Sequence, residues 1–271
     1  MQKITDNVYV ETGNRGCNTS FVVTSEGVVA IDTPMVPEVA KKWAAEMAKY
    51  GPLRYVINGE AHPDHIAGNC YLGGTLVAHE GTRDVILSSN INEFKQMFKG
   101  MAPGSTPLDN DFKFRPPDIT LSERLTLYLG KHTFRLIALP GHSPYQVTVY
   151  VPEERVVFTS DNVVTSMPFF RQALPDEWIK SLRYIQKLDF DKVIPGHGEV
   201  QDKSYIAQMI KNIETWVGAV AEAIRKGMTL EEAQKNVTMV KEFPALTRNL
   251  PMPGLIPMNV ARLYEYLKNK A

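Results

Sequence analysis

The sequence predicts an α/β protein in which two sheets pack together with helices outside. Three observations predict it. Apolar runs of strand length recur in each half of the chain, helical patterns follow strands in both halves, and Gly- or Pro-marked turns punctuate them. At 271 residues, 44% hydrophobic and 22% charged, the chain has an ordinary globular mix and enough length for a substantial core. One domain over 1–271 is expected, with β-rich halves at about 1–118 and 119–200 and a helical tail over about 201–271.

The first stretch reads as a meander, with strands at Val8-Tyr9-Val10, at 19–23 and at 28–32, the last two joined by a turn at Glu26-Gly27. From Pro37 to Tyr50 the spacing of Val39, Trp43 and Met47 is helical, Gly51-Pro52 ends it, and a strand over 53–57 completes a β-α-β crossover. A short helix is expected after His65, then a strand over 75–78 and one helix over 81–99. Residues 100–118 hold four prolines and no period, which reads as a connector of the kind that forms lids or binding loops. The second half predicts strands over 125–129 and 133–139, joined at Gly130, then 146–151 and 155–158, joined at Pro152-Glu153-Glu154. A helix over 176–188, a buried strand over 192–194, and tail helices over 205–226 and 258–268 complete the chain.

Lys+Arg and Asp+Glu balance at 30 each, so no global field recruits nucleic acid or an anionic membrane. The first residues lack a secretory apolar core and no run reaches membrane-spanning length, which predicts a cytoplasmic protein with no membrane partner. The two cysteines, Cys17 and Cys70, are expected as small buried hydrophobes. The apolar stretch 250–258 is a candidate homo-oligomer contact.

Chemistry concentrates where strands end. Val56-Ile57 closes an apolar run, Asn58-Gly59 releases a loop, and Glu60, His62, Asp64 and His65 follow within six residues. Three later groups share this pattern: Pro140-Gly141 delivers His142, Phe158-Thr159-Ser160 delivers Asp161, and Pro195-Gly196 delivers His197. Taken singly, each histidine is more often structural than ligating. Four histidines and three carboxylates at strand ends favour a metal site. His79 could support that edge, His132 is expected in solvent beside the Gly130-Lys131 turn, and Tyr145 could offer its hydroxyl to a substrate.

Glu60-x-His62-x-Asp64-His65, Pro140-Gly141-His142, Phe158-Thr159-Ser160-Asp161 and Pro195-Gly196-His197-Gly198, in that order over about residues 5–200, resemble the metallo-β-lactamase superfamily. Ile31-Asp32-Thr33 also looks like the family's structural aspartate turn. The resemblance implies a four-layer αββα sandwich, here with a C-terminal helical extension, and two divalent metal ions, Zn(II) in the first instance. It implies that Glu60, His62 and His142 hold one ion, that Asp64, His65 and His197 hold the other, and that Asp161 bridges them. Asp64 and Tyr145 are the candidate catalytic residues, and the implied nucleophile is a hydroxide activated by the ions.

The sequence departs from the family pattern at three places. Glu60 stands where most members have His, Ser160 where Gly is usual, and Tyr145-Gln146 where a small residue is common. With His at the first place, two ions, two carboxylates and a hydroxide sum formally to about +1; with Glu60 they sum to about zero, a weaker electrophile that admits harder ions such as Mn(II) or Fe(II). The implied activity is hydrolysis of a lactone, amide, ester or thioester in a small molecule. The alternatives are a carboxylate-rich di-iron redox enzyme and a metabolite-binding protein with reduced turnover.

Overall fold

The computed structural model describes residues 1–270. Seven strands of the N-terminal half hydrogen-bond in sequence order. β1 (Gln2–Lys3), β2 (Val8–Glu11), β3 (Thr19–Thr24) and β4 (Gly27–Ile31) form the antiparallel meander. β5 (Leu53–Ile57), β6 (Thr75–His79) and β7 (Ile119–Leu121) then add in parallel. All five residues of β4 are buried, which suits its β-branched Val and Ile.

Parallel neighbours need crossovers. Helix α1 (Pro37–Met47) joins β4 to β5, α2 (Pro63–Ile66) with the 3-10 turn Ala67–Tyr71 joins β5 to β6, and α3 (Glu80–Ser88) with α4 (Ile91–Met101) leads on to β7. Because β4, β5 and β6 are parallel, their C-terminal ends share one edge. Asp32, the loop at 58–62 and His79 therefore arrive together.

The second sheet runs in the order β13-β12-β11-β10-β9-β8. Its strands are β8 (Arg124–Leu129), β9 (His132–Ala138), β10 (Val147–Val151), β11 (Val156–Val164), β12 (Lys192–His197) and β13 (Gln201–Asp202). Val22, Ile57 and Val77 of the first sheet share one core cluster with Phe134, Val149, Phe158 and Ile194 of the second. Phe21, Ala30 and Val56 bury the opposite face of the first sheet under Trp43 and Met47 of α1. At about 1.5–3 kcal/mol per large buried side chain, these layers hold the strand ends that carry the site.

Met1–Leu139, Tyr145–Val163 and Asp189–Lys203 form one compact unit, and Pro140–Pro144, Val164–Leu188 and the chain from Ser204 form a second. The second unit contains α5 (Pro175–Gln186), α6 (Tyr205–Arg225), α7 (Leu230–Asn236) and α8 (Leu255–Lys270). The Phe170 ring lies 5.5 Å from Trp178 of α5 and 5.7 Å from Trp216 of α6, centroid to centroid. The buried Asn259 side chain of α8 accepts from the Phe170 N–H (2.9 Å) and donates to the Pro168 carbonyl (2.8 Å).

Several sequence expectations are corrected. The helix expected over 81–99 is two helices, because Asn90 turns its side chain back to accept from the N–H groups of Asn92 and Glu93 and so starts α4 afresh. Helix α7 is absent from the sequence reading, although Thr229 and Glu232 form a capping box. Within the connector, Phe112 and Phe114 pack against Phe94 and Phe98 of α4, so it is anchored by its aromatics. Cys17 is buried as expected, but Cys70 is exposed.

His132 is also corrected, from a solvent position to a buried one. Its Nε2 lies 2.7 Å from Glu154 Oε1, which also accepts from Asn7 Nδ2 at 2.7 Å, while Thr5 donates its hydroxyl to Oε2. Burial opposes ionisation of Glu154, but these donors outweigh it and hold the carboxyl below its usual range. A depressed folded pKa gives stability that is present above the unfolded value and lost as pH falls through the folded one. Glu154→Gln is therefore expected to be less stable than wild type at neutral pH, with the gap closing as the pH drops below about 4 in urea denaturation series. A gap independent of pH would contradict the assignment.

Candidate metal centre

The loop after β5 is moulded by buried amides. Asn58 Nδ2 donates to the His65 carbonyl and to Asn69 Oδ1, both at 3.1 Å, and Asn69 Nδ2 returns a bond to Asn58 Oδ1 at 2.8 Å. Thr33 adds its N–H (3.0 Å) and hydroxyl (2.9 Å) to the same His65 carbonyl. Pro63, fit for the first turn of a helix, starts α2, so Asp64 and His65 lie inside that short helix and not before it. One turn of helix therefore orients two ligand-type side chains.

Asp32, with a left-handed φ of 55°, ties this loop to the second sheet. Its Oδ1 accepts the Gly59 N–H at 2.7 Å, and its Oδ2 takes the Ser160 hydroxyl at 3.0 Å and faces His65 Nδ1 at 2.9 Å. A carboxylate on Nδ1 leaves Nε2 of the same ring for a cation and fixes the ring plane. The fully buried His65 Nε2 has no hydrogen-bond partner; it faces Glu60 Oε1 at 3.1 Å, Asp161 Oδ1 at 3.4 Å and Asp64 Oδ2 at 3.9 Å.

The sequence places Asp161 just past a strand end, but β11 continues to Val164 and bends at Ser160, whose φ is 45°. That left-handed residue re-aims the strand so that Asp161 faces the site, as a bulge would. His197 is likewise the last residue of β12 and not beyond it. A Cβ at Gly196 would lie 1.8 Å from Asp161 Oδ1, so only glycine lets β12 approach β11 there. Asn18 clamps the same turn, donating from Nδ2 to the carbonyls of Pro195 (2.9 Å) and Gly198 (2.7 Å).

Six of the seven candidate ligands thus converge in the first unit. His62 Nδ1 lies 2.5 Å from Glu60 Oε2, and His197 Nε2 lies 3.3 Å from both Asp64 Oδ2 and Asp161 Oδ2. Asp64, His65 and His197 each offer a ligand atom within 4.8 Å of the others, and so do Glu60, His62 and Asp161. The seventh, His142, belongs to the second unit, buried with its ring 5.6 Å from Trp178 in an edge contact. Tyr145 stacks on His79, centroids 5.3 Å apart, and lies so close over Gly81 that any Cβ there would overlap its ring. His79 itself accepts from the Gly81 N–H and caps α3.

The electrostatics are those of a cation site. Burial disfavours charge on His62, yet Glu60, Asp64 and Asp161 outweigh it and push the imidazole up to about 9. For His65 and His197 burial is again overcome by the surrounding acidic groups, and both rise well above the usual histidine value. Asp161 falls well below the carboxylate range: burial resists this, but His197 and His65 prevail. The cluster therefore attracts positive charge, and oxygen and imidazole donors together suit divalent ions. Cys17 lies beside Asp32 and His65, but burial pushes its thiol up to about 12, so it is neutral and a poor ligand near pH 7.

The sequence points to the ligand-type residues that converge here but misses Asn18, Thr33 and Asn69, and takes Asn58 only for a turn former. Ser160 gives a test of this local architecture. Ser160→Ala keeps the strained backbone and removes the donor to Asp32, costing about 1 kcal/mol; Ser160→Gly removes the same donor but relieves the left-handed strain. The Gly variant is expected to exceed the Ala variant in denaturant stability by roughly 1 kcal/mol, whereas equal midpoints would contradict a strained Ser160.

The family model for the metallo-beta-lactamase superfamily matches residues 12–197. The chain is 24% identical over 234 residues to a metallo-beta-lactamase type 2 from Elizabethkingia meningoseptica, covering 80% of this chain and 85% of that one. It is 25% identical over 232 residues to the alpha subunit of a 2,4-dinitroanisole O-demethylase from Nocardioides sp. (strain JS1661), covering 80% and 62%. Among solved structures, an inverting sec-alkylsulfatase from Pseudomonas sp. superposes with TM-score 0.75 at 16% identity over 97% of this chain. This chain spans about half the length of that enzyme (49%). A metallo-beta-lactamase family protein from Thermus thermophilus superposes with TM-score 0.70 at 16% identity, covering 99% and 95%. Similarity at these identities concerns the fold, two sheets with helices that include the C-terminal ones, and with the family match it leads to one conclusion: the chain belongs to the metallo-β-lactamase superfamily.

Proposed function

We propose that the protein is a metal-dependent hydrolase that cleaves a lactone, amide, ester or thioester bond in a small organic molecule. One observation carries the reading: Glu60, His62, Asp64 and His65 from beyond the end of β5, Asp161 from within β11 and His197 from the end of β12 aim their donor atoms at one another. Glu60, His62 and His142 would hold one divalent ion and Asp64, His65 and His197 the other, with Asp161 shared. Zn(II) fits the imidazoles, and Mn(II) or Fe(II) fits the added carboxylate of Glu60. Bound divalent ions lower the pKa of water and polarise the bond under attack.

The remaining tasks fall to the chain. Asp32 holds the His65 ring through Nδ1, so its Nε2 lone pair points inward. Asp64, its oxygen 3.3 Å from His197, stays ionised because His65 and His197 outweigh its burial, and it would orient a water as a hydrogen-bond acceptor. The Val147 N–H donates to the Gly59 carbonyl at 2.7 Å, which ties the segment carrying Tyr145 to the Glu60 loop. Tyr145, fixed by His79, donates a hydrogen bond to a substrate oxygen as charge develops on it. Relatives described as a sec-alkylsulfatase and a 2,4-dinitroanisole O-demethylase add sulfate esters and nitroaryl methyl ethers to the substrates worth trying.

Dialysis against a strong chelator is expected to abolish hydrolysis of a responsive substrate, and two equivalents of Zn(II) or Mn(II) to restore it. Full activity in metal-free protein would sink the proposal. Asp161→Asn is expected to lower kcat/KM roughly 100-fold or more, and Tyr145→Phe to lower kcat about 10–100-fold with little change in metal content. The second reading, a di-iron redox centre, is favoured by the three carboxylates Glu60, Asp64 and Asp161 in the cluster. Iron content and visible absorption of the protein as purified separate it from the first.

A further inference from the structure

The two oxygens of Glu60 face different partners. Oε2 lies 2.5 Å from His62 Nδ1, while Oε1 lies 3.1 Å from His65 Nε2. These two nitrogens belong to different ligand sets in the reading above, on which this inference rests. We propose that Glu60 bridges the two ions, one oxygen on each, so that the centre carries two bridging carboxylates, Glu60 and Asp161.

The geometry favours a bridge over a terminal ligand. Paired catalytic ions sit about 3.5–4 Å apart, a separation that the two oxygens of one carboxylate can span. Asp161, the carboxylate shared in that reading, spreads its oxygens over two nitrogens of one set, with Oδ1 3.4 Å from His65 Nε2 and Oδ2 3.3 Å from His197 Nε2. Glu60 spans the two sets themselves, one oxygen toward His62 and the other toward His65. An imidazole at position 60 would offer one nitrogen to one ion and could not do this. Glu60 is fully buried, so its oxygens are shielded from water and face the two imidazoles. The sequence difference at this position is then a change in how the two ions are joined, beyond a change of donor type.

A bridge couples the two binding steps. The test is titration of metal-free wild type, Glu60→His and Glu60→Gln with Mn(II) against a chromophoric chelator, with stoichiometry by elemental analysis and folding by circular dichroism. A bridging Glu60 predicts two ions in the wild type, and in Glu60→His one ion retained with the second bound at least tenfold more weakly. Glu60→Gln, nearly isosteric and less demanding of the fold, is expected to weaken both steps. If Glu60→His binds two ions as tightly as the wild type, or if Glu60→Gln weakens only one step, Glu60 is a terminal ligand and the bridge is overturned while the two-ion site stands. If the wild type binds fewer than two ions, the bridge and the two-ion reading fall together.

Discussion

The buried carboxylate of Asp32 is the constraint on which the site depends. It joins the end of β4 to the Gly59 N–H after β5, to the His65 imidazole of α2 and to the Ser160 hydroxyl inside β11. Those contacts weld the edges of the two sheets at the point where the candidate ligands emerge. A charged group with almost no exposure to water persists only if its acceptor sites are filled, so each of the three donors is held as firmly as Asp32 itself. Ser160 belongs to this weld: where glycine would leave a gap, its hydroxyl supplies a donor, and the left-handed backbone needed to re-aim Asp161 is retained.

Around this anchor the chain gathers negative charge into a small buried volume. Glu60 and His65 are fully buried, and Asp161 nearly so. Carboxylates this close repel one another unless cations intervene, and protons taken up by His62, His65 and His197 answer the same demand. Divalent ions answer it more completely. A carboxylate at position 60 in place of an imidazole raises the demand further, and in the proposed site it would bear on metal choice and lower the electrophilicity together.

Much of this is legible in the sequence because its signals are local. Apolar runs with Gly or Pro punctuation locate the ends of β5 and β12, and Glu60, His62, Asp64, His65 and His197 stand at or next to them, while Asp161 lies inside β11. The supports are not legible, because their meaning is long-range. Nothing beside Asn18 in the chain says that it holds the turn at Pro195 to Gly198, and Asn58 with Asn69 is a pair only once α2 has folded. Strand β11 runs past its expected end, since a polar Thr-Ser-Asp run imitates a loop when both faces of the strand are in fact buried. His132 is misplaced for a related reason: its partner Glu154 comes from the next hairpin and cannot be inferred from the turn beside it.

The claim that this edge of the fold is built for a pair of ions is tested most directly by anomalous diffraction from metal-soaked crystals. Two anomalous peaks are predicted, one among Glu60, His62 and Asp161 and the other among Asp64, Asp161, His65 and His197. A single peak, or none at these side chains, would contradict the account.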